Sequence, residues 1–153
     1  MNTSEVEVQE ALEVGYLPQL MDLLASAWWT AGRTTDGVER MLAASDLVFC
    51  LIHRPSDRLV GFARVITDEV YLAVVLDVIV APDARGCGLG GMLLDVVVGH
   101  PRLAAVRSVE LVCQPDLMTF YHRWGFTEQV GQSRLMRRTV DRRLTGAQVI
   151  DQG

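Results

Sequence analysis

Lysine is absent from this sequence, and all 14 basic side chains are arginines. A chain without lysine cannot form a Schiff base, attach pyridoxal phosphate or supply the phosphate-binding lysine of a P-loop. The 14 arginines are outnumbered by 19 acidic residues, so the formal net charge is −5 at pH 7. This acidity argues against a broad nucleic-acid surface but leaves room for a local basic pocket.

Long apolar runs and paired cysteines are also missing. The richest apolar run, residues 71–82, is interrupted by Asp77 and is shorter than the ~18 residues of a membrane span. The first ten residues are polar and acidic, unlike a secretory signal. Cys50, Cys87 and Cys113 form no CxxC pair, which disfavours a disulfide framework and a zinc site. We therefore expect a cytoplasmic protein with reduced thiols, no bound metal and no membrane partner.

The 153 residues, half of them apolar, predict a single domain of mixed α/β class. Apolar residues at helical spacing predict four helices, near residues 17–28, 36–42, 89–97 and 117–124, with Asp36 and Asp116 at two N-termini. Runs rich in β-branched residues predict strands at 6–8, 47–53, 59–67, 71–80, 109–113, 127–130 and 134–138. The order of these elements indicates a mixed sheet flanked by helices.

Asp77 is out of place in its strand. A buried carboxylate costs several kcal/mol unless it is paired, so a partner or a function must account for it. Two explanations stay open at this point: a salt bridge to Arg64 on the neighbouring strand, or a role as general base. Weaker candidates for a base are Glu110, Asp68, His53 and His122.

A glycine-rich loop, residues 85–91, joins the buried strand to the third helix. Glycines before a helix let the backbone approach an anion, and the free amides and dipole of the helix start attract negative charge. A pyrophosphate is the natural ligand. A dinucleotide-binding unit would place such a loop after its first strand, whereas this loop follows two predicted helices and several strands. Such a unit also needs an acidic residue about 20 residues after the glycines, and Glu110 meets that requirement relative to Gly90. A Walker loop is excluded because it ends in lysine.

The run Arg85-Gly86-Cys87-Gly88-Leu89-Gly90 resembles the acetyl-CoA pyrophosphate motif of the GNAT N-acetyltransferase superfamily. The run Phe120-Tyr121-His122-Arg123-Trp124-Gly125-Phe126 resembles the second signature of that family, and residues 61–65 resemble bacterial members of unassigned substrate. The resemblance implies a mixed, mostly antiparallel sheet of six to seven strands, splayed between strands four and five and flanked by about four helices. It assigns residues 1–138 to one domain and leaves 139–153 as a tail.

The resemblance also implies an activity and a set of site residues. The expected reaction is direct transfer of an acetyl group from acetyl-CoA to a primary amine of a small molecule. Tyr121 is the expected acid for the leaving thiolate, and Asp77 is the candidate base unless a water chain does that work. The expected cofactor-binding residues are Val78, Ile79, Val80, Arg85, Gly86, Cys87, Gly88, Leu89, Gly90 and Gln114. The expected substrate-binding residues are Trp28, Trp29, Arg33 and Arg64, with Arg33 a candidate for an acceptor carboxylate.

Two other functions stay open. One is acetylation of a protein N-terminus or lysine, and the other is a noncatalytic acyl-CoA sensor. The resemblance further implies a homodimer, with residues 139–153 as a candidate partner contact.

Overall fold

The computed structural model describes residues 1–146 and contains one mixed sheet with helices packed against it. Within that range the sheet has five strands in the order β1-β2-β3-β4-β5, and three of the four pairings are antiparallel. The strands are β1 (Val6–Gln9), β2 (Leu47–His53), β3 (Arg58–Thr67), β4 (Leu72–Val80) and β5 (Ser108–Leu111). The helices are α1 (Leu17–Ala25), α2 (Thr35–Ala44), α3 (Leu89–Val98) and α4 (Met118–His122).

The centre of the sheet is formed by β2 and β3. Consecutive residues of β2 from Phe49 to Ile52 are fully buried, which means that both faces of this strand are covered. The turn predicted after β2 is present, and Asp57 closes it in a left-handed conformation at φ 49°. Tyr16 donates a hydrogen bond to Asp57. The hairpin is thereby tied to the segment that begins α1.

The helices begin and end near the predicted positions, with different caps. Thr34, and not Asp36, caps α2, because its hydroxyl accepts the Gly37 amide at 3.1 Å. A single 3₁₀ turn (Pro115–Leu117) precedes α4, so Asp116 caps nothing. In the described part of the chain, no helix is long and apolar enough to cross a membrane.

The prediction of six to seven strands is wrong for the described residues. Residues 127–130 and 134–138 form no ladder with β5 or with each other. Leu135 and Met136 are 69% and 92% exposed, so this segment has no apolar face buried against the sheet. A strand pattern gives a stable strand only where a neighbour supplies the hydrogen bonds, and none does so here.

The pairing of β4 with β5 is short, and it shapes the site. The two strands pair in parallel from Leu72 to Val75, and β4 then continues to Val80 without a β5 partner. Opposite β3, the register shifts between Phe62 and Arg64, and Asp77 sits in the resulting bulge at φ 54°. Bulges of this kind bend a strand and redirect its side chains. β4 therefore extends past the end of β5, at the place where a splay between the fourth and fifth strands is predicted.

Gly61 provides a test of packing in the core. A Cβ at this position would lie 2.9 Å from Cδ1 and 3.3 Å from Cβ of Leu51 on the neighbouring strand. We expect Gly61→Ala to lower the free energy of unfolding by about 1–3 kcal/mol, since overpacking a core forces side chains off their rotamers. Urea denaturation measures this. Gly15→Ala is the control because its methyl would enter open space, and equal midpoints for the two variants would contradict the prediction.

Candidate active site

The glycine-rich loop lies at the end of β4, directly before α3. Gly86 and Gly88 adopt left-handed conformations with φ of 78° and 86°, and a side chain at either position would meet nothing within 4 Å. Gly88 is the N-cap of α3 and no side chain caps this helix, so its first amides are left for another acceptor. The bare, glycine-lined helix start fits a pyrophosphate. A doubly wound dinucleotide fold is excluded by the antiparallel strands.

The predicted cofactor-binding residues are brought together around this loop and the free part of β4. Arg85 folds back along it, with Nε donating to the Val80 carbonyl at 3.2 Å. Gln114 follows β5 and therefore lies at the same end of the parallel pair as Val80. The Cys87 sulfur lies 3.7 Å from the Met1 amino group. The predicted set lies on the last part of β4, the glycine-rich loop, the start of α3 and the segment after β5: Val78, Ile79, Val80, Arg85, Gly86, Cys87, Gly88, Leu89, Gly90 and Gln114.

Helix α4 packs against the start of α3, which joins the two sequence motifs. A Cβ at Gly90 would lie 3.2 Å from the Phe120 ring, so the ring packs against bare backbone. Trp124 donates from Nε1 to the Asp95 carboxylate at 2.9 Å. The Asp95 contact was not predicted, because it joins α3 to the turn after α4, 29 residues further along the chain, with no sequence signal.

Tyr121 is buried behind the loop. Its ring makes edge contacts with Phe120 at 5.0 Å and Phe126 at 6.1 Å, and 7% of the residue is exposed. Burial, with a smaller contribution from the nearby Cys113 thiol, raises the pKa of Tyr121 to about 12. Within residues 1–146 its hydroxyl has no hydrogen-bond partner. Tyr121 therefore carries its proton at neutral pH.

Asp77 is held by two arginines. Arg33 donates through Nη1 at 2.7 Å and through Nη2 at 3.0 Å, and Arg64 donates through Nε at 2.6 Å. Burial disfavours the charged form, but the hydrogen bonds from Arg33 and Arg64 outweigh it and hold the pKa of Asp77 below its usual value. The ion pair with Arg64 that the sequence suggested is present, and Arg33 joins it. A carboxylate held in this way is a poor proton acceptor.

The weaker candidates for a base have other partners. His53 hydrogen-bonds Ser56 at 2.6 Å. His122 is half-exposed and binds Glu128. Backbone amides, led by that of Leu72, lower the pKa of Asp68, and Glu110 is exposed on the edge strand. No group of three or more histidine, cysteine, aspartate or glutamate side chains within residues 1–146 is arranged to hold a metal ion.

An open cavity of about 460 Å³ lies beside Arg33. One side is formed by the segment between α1 and α2, where Trp28 is 50% exposed and meets Trp29 edge-on at 6.0 Å. Arg143 closes the other side by donating to the carbonyls of Trp28 and Ala31, both at 2.9 Å. The cavity is lined by Trp29, Ala31, Gly32, Arg33, Asp141, Arg143 and Leu144.

The role of residues 141–144 was not predicted from the sequence. They belong to the predicted tail 139–153, and they contact their own chain beside Trp28 and Ala31. The contact of that tail with a partner stays a prediction. The remainder of that predicted tail, residues 147–153, lies outside the described residues.

Comparison with known proteins identifies the family. The model of the acetyltransferase (GNAT) domain matches residues 44–128, more than half of the chain. The chain belongs to the GNAT acetyltransferase family. The matched range includes both the glycine-rich loop and helix α4 with Tyr121.

Relatives of this acetyltransferase come from plastids and bacteria. It is 34% identical over 112 residues to the uncharacterised N-acetyltransferase ycf52 of Porphyra purpurea, covering 72% of this chain and 64% of that protein. It is 34% identical over 96 residues to the chloroplastic serotonin N-acetyltransferase 2 of Oryza sativa, covering 61% and 48%. The chain therefore spans less than two thirds of the length of these curated relatives.

A solved structure has the same fold. It is the structure of a Xanthomonas campestris protein described as belonging to the GNAT family, which is 33% identical to this chain and superimposes on it with a TM-score of 0.75. The match covers 88% of this chain and 93% of the other. The described part of this acetyltransferase therefore includes most of the fold of a known family member.

Removing the charge of Asp77 tests the ion-pair cluster. We expect Asp77→Asn to lower the free energy of unfolding at pH 7 by about 2–4 kcal/mol, because two partly buried arginines lose their counter-charge. The pKa of Asp77 is lowered by folding, so its contribution is present above the unfolded pKa of about 3.9 and is lost as pH falls through the folded value.

Urea denaturation between pH 3 and 7 measures this contribution. The wild-type and Asp77→Asn curves should converge as the pH falls below about 4. Asp83→Asn is the control, because it breaks an exposed ion pair with Arg58 and should leave the midpoint nearly unchanged. A constant difference across this pH range would contradict the assignment.

Proposed function

We propose that this GNAT acetyltransferase moves the acetyl group of acetyl-CoA to a primary amine of a small molecule, by direct transfer with both substrates bound. The observation that carries the proposal is the arrangement around the end of β4 and the start of α3. The glycine-rich loop precedes an uncapped helix, β4 runs on without a β5 partner, and the protonated Tyr121 is on the helix that packs against α3. These are the groups that the reaction requires at one place.

Binding of acetyl-CoA is assigned to backbone groups. The amides from Gly86 to Gly90 would hold the pyrophosphate, where the left-handed glycines keep side chains out of the way. The backbone of Val78–Val80, which has no β5 partner, would bind the pantetheine arm, with Gln114 on the other side. Acetyl-CoA supplies an activated thioester. The chain supplies the orientation of that thioester and the charge around it.

The transfer needs one proton to leave the amine and one to reach the sulfur. The amine nitrogen forms a bond to the carbonyl carbon, and the bond from that carbon to sulfur breaks. Tyr121 donates its proton to the departing sulfur and regains one from solvent. Because Asp77 is neutralised by Arg33 and Arg64, we assign it the positioning of those side chains, and water takes the proton of the amine.

The expectations about the protein's surroundings stand as part of this proposal. They are one catalytic domain over residues 1–138, a bacterial-type enzyme in the cytoplasm, and a homodimer. Several relatives are named as chloroplastic, so location in a plastid is the alternative to the cytoplasm. Sedimentation velocity on the full chain tests the dimer.

The first test is a thiol-release assay with acetyl-CoA and a panel of amines, amino acids, polyamines, aminoglycosides and peptides. We expect Tyr121→Phe to lower kcat by about 100-fold or more, since the general acid is lost, and to leave the Kd for CoA unchanged. Tyr71→Phe is the matched control because Tyr71 is 65% exposed. Calorimetry reports CoA binding in parallel.

The outcomes of this assay separate the candidate functions. Turnover confined to peptides would favour a protein acceptor, and tight CoA binding without any turnover would favour a sensor. Absence of CoA binding would overturn the proposal.

Replacement of Gly88 tests the loop. We expect Gly88→Ala to weaken CoA binding by roughly tenfold, because an alanine disfavours the left-handed conformation that aims the amides of α3. Gly131→Ala is the control. Its φ is 65° in a turn outside the loop, so it carries a similar backbone strain and should leave the Kd for CoA unchanged. Equal affinities in both variants would count against the loop as the pyrophosphate site.

A further inference from the structure

The cluster around Asp77 contains an excess positive charge. One carboxylate faces two guanidinium groups, so the three side chains together carry one net positive charge. The side chains of Asp77, Arg64 and Arg33 are 6%, 13% and 30% exposed, so the charge on Arg64 is less screened by water than that on Arg33. The excess charge favours binding of a second anion at Arg64.

The two arginines differ in the number of guanidinium N–H donors that are not already used in hydrogen bonds. Arg33 directs both Nη groups at Asp77 and also contacts the Met41 sulfur, so its fork is occupied. Arg64 uses only Nε. Within residues 1–146 its Nη1 and Nη2 atoms donate to no protein group, and both still reach solvent. The Nη1–Nη2 edge of Arg64 is therefore a two-donor fork with the spacing of a carboxylate.

This fork lies next to the proposed point of transfer. Arg64 is paired with Leu76 across the sheet, beside the bulge at Asp77. The free segment Val78–Val80, to which the thioester arm is assigned above, begins at the next residue of β4. Val78 is two residues along β4 from Leu76, the partner of Arg64 across the sheet, so an acceptor amine held at Val78 would lie near Arg64.

We propose that the acceptor carries a carboxylate as well as its amine, and that the Nη1–Nη2 edge of Arg64 binds this carboxylate. Asp77 then acts as a positioning residue that fixes the orientation of Arg64 through Nε. This inference rests on the function proposed above and names its substrate class, a small amino acid. The same excess charge disfavours polyamines, whose additional cationic groups would be repelled.

The experiment compares amino acids with their own carboxamides. Glycine, β-alanine, phenylalanine and tryptophan vary the size of the acceptor and the distance between its amine and its carboxylate. Each carboxamide removes the charge and nearly preserves the shape. Its amine is also less basic, which favours the carboxamide chemically, so a preference for the carboxylate reports recognition. The first readout is kcat/KM for acetyl transfer. The second is the Kd with which the CoA-loaded protein binds the two N-acetylated products, one from the amino acid and one from its carboxamide (the product pair).

We expect the carboxylate member to be preferred by about tenfold to 100-fold for at least one amino acid, in kcat/KM and in Kd. Arg64→Gln should abolish the preference. Arg64→Lys should abolish most of the preference. A lysine ammonium that binds Asp77 has no separate planar pair of N–H donors with which to bind the carboxylate of the acceptor. If Arg64→Gln does not fold, Arg64→Lys decides the matter. Arg54→Gln is the control, since Arg54 pairs with Glu7 and should keep the preference.

Equal or better use of every carboxamide by the wild-type enzyme would overturn the inference and leave the acetyltransferase proposal intact. Loss of CoA binding and of all turnover would overturn the acetyltransferase proposal instead. If turnover is absent but CoA binds, the product-pair Kd still decides whether Arg64 recognises a carboxylate.

Discussion

The carboxylate of Asp77 is the point at which three parts of this acetyltransferase are joined. It is carried by the bulge of β4, and it binds Arg64 of β3 and Arg33 of the segment between α1 and α2. The buried charge cannot exist without these partners. Their geometry in turn fixes how closely the segment between α1 and α2 approaches the end of β4. The position of that segment and the charge beside it thus depend on a single ion-pair cluster.

The start of α3 is held by a different interaction, the close packing of aromatic side chains against helix backbone. Glycines at the start of α3 let the aromatic side chains of α4 approach the helix backbone, with Phe120 against Gly90. The hydrogen bond from Trp124 to Asp95 holds α4 in that position. Because Tyr121 is on the same short helix, the packing that supports the anion-binding loop also places the candidate acid. Few independent contacts are needed to bring these two groups together.

The sequence allowed the glycine-rich loop and the aromatic segment around α4 to be located far better than the contacts of Asp77. Left-handed glycines, a strand end and an aromatic signature are local patterns, so residues 85–91 and 120–126 could be found without a structure. The pairing of Asp77 with Arg64 followed from adjacent strands. The contact with Arg33 did not, since it bridges 44 residues through a loop whose path no local pattern fixes. Residues 127–138 show the opposite error, because strand propensity says nothing about whether a partner strand is present.

The contact between Arg143 and the carbonyls of Trp28 and Ala31 has a consequence for handling the protein. One wall of the cavity beside Arg33 is made by Asp141, Arg143 and Leu144, and the opposite wall by the segment from Trp29 to Arg33. Cutting the chain before Asp141 would open this cavity on one side. It would also leave the carbonyls of Trp28 and Ala31 without the donor that joins them. Shortening the protein to its sheet and helices is therefore a change to the cavity and not the removal of an inert extension.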